Sequence, residues 1–180
     1  MALWIVRHAQ PLVDAGTCYG VLDMPADPHA TARAADALAQ VLPQGAALRV
    51  SPLQRCQQLA AALQALRPDL HALTDPRLRE MDFGVWEGVA WDAIPPAAVH
   101  AWAEDFGAHR FGGAESANEV LARVAGLWDQ SRTGDTVWIT HAGVARALSL
   151  LAAGVRMVTR ADQWPHAAPG YGAWLCMPNA

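Results

Sequence analysis

The chain has 180 residues, 53% of them hydrophobic, and a formal net charge of −4 at pH 7. This length suits a single domain, which we expect to span residues 1–180, and the negative charge disfavours a nucleic-acid partner because phosphate backbones require a basic surface. The chain contains no lysine, so every basic side chain is arginine, and mechanisms that need a Schiff-base lysine or a P-loop lysine are excluded.

The first part of the chain alternates between predicted strands and helices. A short apolar run predicts a buried strand over residues 2–6, and a long connection over 8–29, rich in proline and glycine, follows it. Helical spacing of apolar residues predicts a helix over 30–42, and a second strand is predicted over 47–50. Ser51-Pro52 is typical of an N-cap with proline at the first helical position, so we predict that a second helix begins there.

The rest of the chain continues this alternation after an irregular stretch. A third strand is a candidate at 70–74, and residues 75–115 are rich in Pro, Gly and Trp, with one short helix near 95–105. Ser116 and Glu119 form a capping box that begins another helix. A strand over 136–140, a helix after it and a last strand near 173–177 follow, whereas 155–172 yield no prediction. This order predicts an α/β fold, a three-layer α/β/α arrangement with a mostly parallel central sheet.

The sequence also predicts the compartment. No apolar run is long enough to span a bilayer, and the first residues lack the basic start of a signal peptide. The three cysteines, Cys18, Cys56 and Cys176, are widely spaced and form neither a disulfide framework nor a zinc pattern. We therefore expect a cytoplasmic protein with no membrane partner, no metal and no cofactor, and we leave its oligomeric state open.

Side chains with potential chemistry follow three of the predicted strands. The first strand is followed by Arg7 and His8, the second by Arg55 in the next helix, and the strand over 136–140 by His141. Each one alone has a structural explanation, as a histidine at a strand end or an arginine in a solvated helical turn. Because ligands bind outside the carboxyl ends of parallel strands, we expect these residues to lie together at one edge of the sheet.

These residue types suit a phosphate ester. Two arginines offer paired hydrogen bonds to phosphoryl oxygens, and the helix N-terminus at Gly143 offers backbone N–H groups. Two histidines exceed what binding requires, so one is a candidate nucleophile that forms a phosphohistidine. The leaving alcohol needs a proton, and Glu80 is the favoured donor because partial burial among apolar neighbours favours a protonated carboxyl. Asp82 and Glu87 compete for this role, but we interpret both as ordinary loop carboxylates.

These motifs, in this order, resemble those of the histidine phosphatase superfamily, also called phosphoglycerate-mutase-like. The similar segments cover most of residues 3 to about 147 and are Arg7-His8, 51–56, 78–88, 111–116 and 140–146. The resemblance implies a metal-independent phosphatase in which His8 is the phosphorylated nucleophile. It also implies that Arg7, Arg55 and His141 hold the phosphoryl group and that Glu80 protonates the leaving group.

One residue departs from the family pattern. Ala9 stands where the family usually has glycine after the nucleophile. If the backbone there required a positive φ or a close approach to phosphate, the Cβ of Ala9 would cost about 1 kcal/mol. The expected consequence concerns the geometry of this loop, not the reaction.

Residues 11–25 suggest the substrate. This segment, with Cys18-Tyr19-Gly20 at its centre, is similar to the same stretch of bacterial α-ribazole phosphatases of cobalamin biosynthesis. The resemblance implies α-ribazole 5′-phosphate, a small-molecule phosphate monoester, as the partner, with Tyr19 and Gly20 beside the phosphate. A loop aromatic packed on the core explains Tyr19 equally well.

Three other functions compete with this one. Phosphoglycerate mutase is disfavoured because the chain is short and lacks lysine, whereas a broad-specificity phosphatase stays open. A non-catalytic phosphate-binding domain is disfavoured because all five predicted catalytic residues are present. Three tryptophans fit either a site for a bulky ring or a Trp-rich core, and they are Trp86, Trp91 and Trp102.

Overall fold

A five-stranded sheet lies at the centre of the structure, a computed structural model that describes residues 1–130 and 134–178. The strands are β1 (Ala2–Arg7), β2 (Ala47–Val50), β3 (Ala72–Thr74), β4 (Thr136–Thr140) and β5 (Trp174–Pro178), in the order β3-β2-β4-β1-β5. The first four are parallel, and β5 is an antiparallel edge strand beside β1. The predicted α/β fold with a mostly parallel sheet is confirmed.

Helices cover both faces of this sheet. They are α1 (Pro28–Val41), α2 (Gln54–Leu66), α3 (Pro96–Glu104), α4 (Ala117–Trp128) and α5 (Ala142–Ala152). One core cluster joins α1 and α2 to Val50 and Ile139, and another joins α4 and α5 to Ile5 and Trp138. Every residue of β4 is buried, as expected for a parallel strand that is covered on both faces.

Two predicted helix starts differ from the structure. Helix α1 begins two residues before the predicted start, because Asp27 caps it by accepting the Ala30 N–H (2.7 Å) and Pro28 occupies the first turn. The predicted N-cap role of Ser51 is wrong, since α2 begins at Gln54 and no side chain caps it. The predicted capping box at the start of α4 is confirmed.

Within residues 1–130 and 134–178, no helix combines the length and the apolar character needed to cross a membrane. In the same residues, no three His, Cys, Asp or Glu side chains cluster in a way that could hold a metal ion.

Candidate active site

The ends of β1, β4 and β2 are neighbours in the sheet, and they bring the predicted histidines together. In the parallel register Arg7 pairs with Thr140, so that His8 and His141 are the next residues on adjacent strands. The His8 N–H continues this ladder by donating to the Thr140 carbonyl (3.1 Å). The two imidazole rings lie with their centroids 5.0 Å apart. The predicted convergence at one sheet edge is therefore present.

His8 is buried, and its hydrogen bonds define its tautomer. Its Nδ1 lies 2.7 Å from the Ala9 carbonyl oxygen, which only accepts, so Nδ1 carries the proton and Nε2 keeps its lone pair. Burial first, and then the charges of Arg55 and Arg7, lower the His8 pKa from 6.5 to about 3. The imidazole is therefore neutral at neutral pH, and Nε2 is the ring nitrogen that carries the lone pair.

Ala9 adopts a conformation that removes the expected cost of its Cβ. No described residue other than glycine has a positive φ, so Ala9 lies in the ordinary region for an L-residue. Its side chain is buried in the core beside the nucleophile. An alanine at this position therefore fits the loop without backbone strain.

His141 is completely buried and has one unsatisfied ring nitrogen. Its Nε2 lies 2.8 Å from the Ser51 hydroxyl, the group that the sequence predicts as a helix cap. Its Nδ1 is buried without a hydrogen-bond partner among the described residues. Burial, and then the neighbouring His8 and Arg55, hold the His141 pKa well below its ordinary value. A buried polar atom without a partner is costly, so a ligand that supplied one would be favoured here.

Arg55 is completely buried, and it connects the nucleophile to the long loop over 8–29. Its Nε donates to His8 Nε2 at 3.3 Å. Its Nη1 donates to the Leu22 carbonyl (2.9 Å) and its Nη2 to the Gly20 carbonyl (2.6 Å). A guanidinium held at every edge places a fixed positive charge next to the atom that would attack.

Glu80 lies across the cavity from the histidines, at the N-terminus of α5. One carboxylate oxygen accepts the Gly143 N–H (3.0 Å) and the other accepts the Met81 N–H (3.0 Å). The predicted phosphate ligand Gly143 thus donates to Glu80 in this structure. A Cβ at Gly143 would overlap Glu80 Oε1, so the glycine leaves the space that this carboxylate occupies. Glu80 is half-buried, as expected.

The segment that carries Glu80 is held by a buried ion pair. Glu115, buried in the turn before α4, accepts from Arg123 Nε (2.7 Å) and from the Asp82 N–H (3.1 Å). Arg123 also donates to the Glu80 carbonyl at 3.2 Å. The position of the predicted acid is therefore fixed through its backbone on one side and through Gly143 on the other.

The other two candidate carboxylates hold loops together. Asp82 accepts the Gly84 N–H (2.8 Å) and closes a turn. Glu87 accepts the N–H groups of Gly20 (2.9 Å), Val21 (3.1 Å) and Leu22 (2.8 Å), as well as that of Phe83. Glu87 thus anchors the loop over 8–29, a role beyond that of the ordinary loop carboxylate that the sequence predicts. Its loop partners are 65 to 67 residues away in the sequence, so no local sequence pattern predicts the contact.

A cavity of about 320 Å³ opens beside His8, and six of its thirteen described lining residues are Phe, Tyr or Trp. Trp91 and Trp102 line it, whereas Trp86 does not and packs on Phe111 instead, with ring centroids 6.0 Å apart. Trp102 belongs both to the cavity wall and to the aromatic core, because its ring also stacks on Phe111 with centroids 4.4 Å apart. The remaining lining residues include Arg7, Tyr19, Glu80, Met81, Phe83, Phe106, Gly143, Arg146 and Trp164.

Two tyrosines meet at the mouth of the site. Tyr19 lines the cavity, and its hydroxyl lies 2.7 Å from that of Tyr171. Burial, followed by this hydrogen bond, raises the Tyr19 pKa. Gly20 is also explained, since a Cβ there would overlap the Met81 carbonyl oxygen. Tyr171 belongs to the segment 155–172, for which sequence patterns yield no prediction.

The sequence matches one protein family. The model of the histidine phosphatase superfamily (branch 1) matches residues 3–168. No curated protein matches the chain.

Solved structures extend this finding. A mycobacterial glucosyl-3-phosphoglycerate phosphatase aligns with a TM-score of 0.78 and 27% identity, over 97% of this chain and 88% of that one. The same enzyme has been solved with VO3 and with inorganic phosphate. A second protein, mycobacterial hydrolase 1, aligns with a TM-score of 0.80 and 26% identity over 97% and 87% of the two chains. The protein TTHB049 of Thermus thermophilus aligns with a TM-score of 0.73 and 28% identity over 98% and 92%.

Proposed function

We propose that this chain, which belongs to the histidine phosphatase superfamily and is a phosphatase, acts through a phosphohistidine. It hydrolyses phosphate monoesters, and His8 is the residue that carries the phosphoryl group. The observation that carries the proposal is the neutral His8 imidazole, whose Nε2 lone pair lies beside the buried Arg55. A neutral, desolvated nitrogen is a stronger nucleophile than an imidazolium, which has no lone pair to give.

The first step transfers the phosphoryl group to the enzyme. His8 Nε2 gives up its hydrogen bond from Arg55 Nε and forms a P–N bond while the P–O bond to the alcohol breaks. Arg7, Arg55 and the unsatisfied Nδ1 of His141 stabilise the charge on the phosphoryl oxygens. The departing alkoxide takes the proton of Glu80, which lines the same cavity.

The second step regenerates the enzyme with a water molecule. Glu80, now a carboxylate, accepts one proton of the water as its oxygen attacks phosphorus. The P–N bond breaks, its electron pair returns to His8 Nε2, and inorganic phosphate leaves. Every group that this cycle uses is present in the chain's own side chains, so the proposal requires no metal or cofactor.

For the substrate we propose α-ribazole 5′-phosphate. Two observations support this choice: the similarity of residues 11–25 to α-ribazole phosphatases and the aromatic wall of the cavity beside His8. Flat heteroaromatic rings such as a benzimidazole pack well against aromatic side chains such as Trp91 and Phe83. Tyr19 and Gly20 then lie close to the phosphate, because both contact the Arg55 side chain.

A second candidate is an ester whose alcohol carries a carboxylate. Arg146 lines the cavity, its Nε is buried without a hydrogen-bond partner in the described ranges, and Nη2 makes a 3.3 Å bond to the His166 carbonyl. An arginine with a free N–H edge suits an anionic group on the leaving alcohol. The similar mycobacterial enzyme is named for a phosphoglycerate derivative, a compound that contains such a carboxylate.

The two candidates are separated by a substrate panel. Phosphate release would be measured with EDTA present from α-ribazole 5′-phosphate, 3-phosphoglycerate and an aryl phosphate, with His8→Ala as the control. A strong preference for the ribazole ester, lost in the variant, is the expected result. Preference for 3-phosphoglycerate would favour the second candidate, and equal rates on all three would favour a broad-specificity phosphatase. Release that persists in the variant would refute the phosphohistidine mechanism.

A further inference from the structure

Residues 169–173, which we call the strap, wrap around Arg7 and His8. The Gly172 N–H donates to the carbonyls of Arg7 (3.2 Å) and His8 (3.0 Å). The Arg7 N–H donates in turn to the Ala173 carbonyl at 3.0 Å. The strap leads into β5. Its backbone hydrogen bonds to Arg7 and His8, two predicted catalytic residues, add to those that both residues make within the sheet.

The strap also holds the Arg7 guanidinium from two sides. Its Nη1 donates to the Pro169 carbonyl at 3.1 Å. The central carbon of the guanidinium lies 3.9 Å from the centroid of the Tyr171 ring, which covers one face of the group. Its Nε is buried and has no hydrogen-bond partner in the part of the chain that the structure describes.

These contacts leave a defined part of Arg7 for a ligand. With one face stacked and Nη1 engaged, the Nε side of the planar group is the side that lacks a partner among the described residues. Arginine binds oxyanions through two adjacent N–H groups, and a guanidinium that is already oriented loses less conformational entropy on binding. The aromatic ring thus orients the arginine through the face of its guanidinium and leaves the N–H groups on the Nε side unoccupied by the strap.

We infer that Tyr171 is a positioning residue for phosphoryl binding, acting through its ring on the Arg7 guanidinium. The inference rests on the proposed function, since it assumes that Arg7 binds the phosphoryl group. It assigns a role to a residue that neither the sequence motifs nor the family match includes, because the match ends at residue 168.

The Tyr171 hydroxyl has a secondary part in this arrangement. It is hydrogen-bonded to Tyr19 (2.7 Å), so the strap and the loop over 8–29 meet in front of His8. The Tyr171 and His8 rings have centroids 5.6 Å apart. The hydroxyl fixes the rotation of the ring, whereas the ring itself provides the contact with Arg7. Removing the hydroxyl alone should therefore matter much less than removing the ring.

The test compares Tyr171→Leu with Tyr171→Phe, using vanadate as a phosphoryl analogue and an aryl phosphate as substrate. Loss of the ring should weaken vanadate inhibition and raise KM about tenfold, whereas the phenylalanine variant should stay within about threefold. A purely structural role would reduce the amount of active enzyme, and hence kcat, without changing the vanadate inhibition constant. Leu175→Ala, an exposed position on β5 outside the strap, is the matched control.

Each outcome has one meaning. Equal vanadate affinity in wild type and both variants would overturn the inference, and so would equal losses in both variants, which would assign the effect to the hydroxyl. A wild-type chain that neither binds vanadate nor releases phosphate would overturn the proposed function itself, and the inference with it. The thermal midpoint of Tyr171→Leu checks folding, and we expect little change because Tyr171 is 40% exposed.

Discussion

The histidine end of the site, where we propose that the phosphoryl group binds, and the aromatic cavity beside it are built in different ways. His8 and His141 directly follow adjacent parallel strands, and backbone hydrogen bonds of the sheet fix their positions. Much of the cavity wall comes from the stretch between Glu80 and Phe106, which includes α3 and whose rings, such as Phe83 and Trp102, pack on one another. Under the proposed mechanism, the sheet positions the reacting groups, whereas the loops and α3 shape the space for the alcohol.

The largest loss of turnover is expected from His8→Ala, at the end of the site that follows the strands of the sheet. Without Nε2 no P–N bond forms, so turnover of every phosphate ester should fall about 10⁴-fold or more. Rapid mixing with an aryl phosphate, a neutral quench and intact mass measurement would detect the phosphoenzyme in wild type only. Phosphorylation of the variant at another residue would contradict the assignment of the nucleophile.

Glu80→Gln, at the boundary between the two regions, should cause a smaller loss of turnover. The size of this loss should depend on the leaving group. General acids contribute about 10²–10⁴-fold, so an alkyl phosphate should lose roughly that much, while an aryl phosphate, a good leaving group, should still phosphorylate the enzyme. Asp82→Asn is the matched control, because the Asp82 side chain closes a turn. Unchanged turnover of the alkyl ester would move the acid role to another residue.

The buried histidines should also make the fold sensitive to acid. The pKa of His8 is lowered to about 3 and that of His141 is lowered as well, so below pH 6.5 the unfolded chain binds protons that the folded chain does not. Stability should therefore fall as pH decreases from 6.5 towards 3, by about 1.4 kcal/mol per pH unit for each histidine. Urea unfolding at pH 7 and pH 5 measures this slope.

Two variants test the origin of that slope. His8→Asn should make it shallower, whereas His29→Gln, at an exposed position on α1, should leave it as in the wild type. A slope that is the same in all three proteins would mean that other groups cause the acid sensitivity.

The smallest effect is expected in the aromatic cavity. Trp91→Ala removes part of the wall, so KM for an aryl or benzimidazole ester should rise up to about tenfold, while that for glycerol phosphate changes little. Trp86→Ala is the matched control, since Trp86 packs on Phe111 as Trp91 does but lies outside the cavity. Equal changes of KM in both variants would show that the tryptophans affect KM through packing in the core rather than through contact with the substrate.

The same difference explains what the sequence could predict. Short apolar runs that end in Arg7-His8 and His141 predict strands, and parallel strands place their ends together whatever the loops do. The local pattern misled at Ser51, because a serine before proline looks the same whether it caps a helix or, as here, bonds a histidine 2.8 Å away. A hydroxyl that caps a helix and a hydroxyl that bonds a histidine ring differ only in their tertiary contacts.

The missed residues all act over long separations in the chain. Glu87 bonds backbone groups of the loop over 8–29, and Tyr171 bonds Tyr19 from 152 residues away. Periodicity and capping signals report neighbours within a few residues, so they carry no information about such pairs. The sequence left open whether the tryptophans line a site or pack in the core, and only the structure separates Trp91 and Trp102, which line the cavity, from Trp86, which does not.

The spacing of the two histidines has a consequence for how this protein can change. Neighbouring strands in any sheet lie about 4.8 Å apart, and the two imidazole centroids lie 5.0 Å apart. The spacing of the backbone that carries the two histidines is thus a constant of β-structure, whereas the Ala9 carbonyl and the Ser51 hydroxyl orient the two rings. Grafting a different 91–106 segment, which keeps Glu87 and the Asp82–Glu115 contact in place, should exchange one alcohol for another while the rate of phosphoryl transfer from an activated ester stays the same.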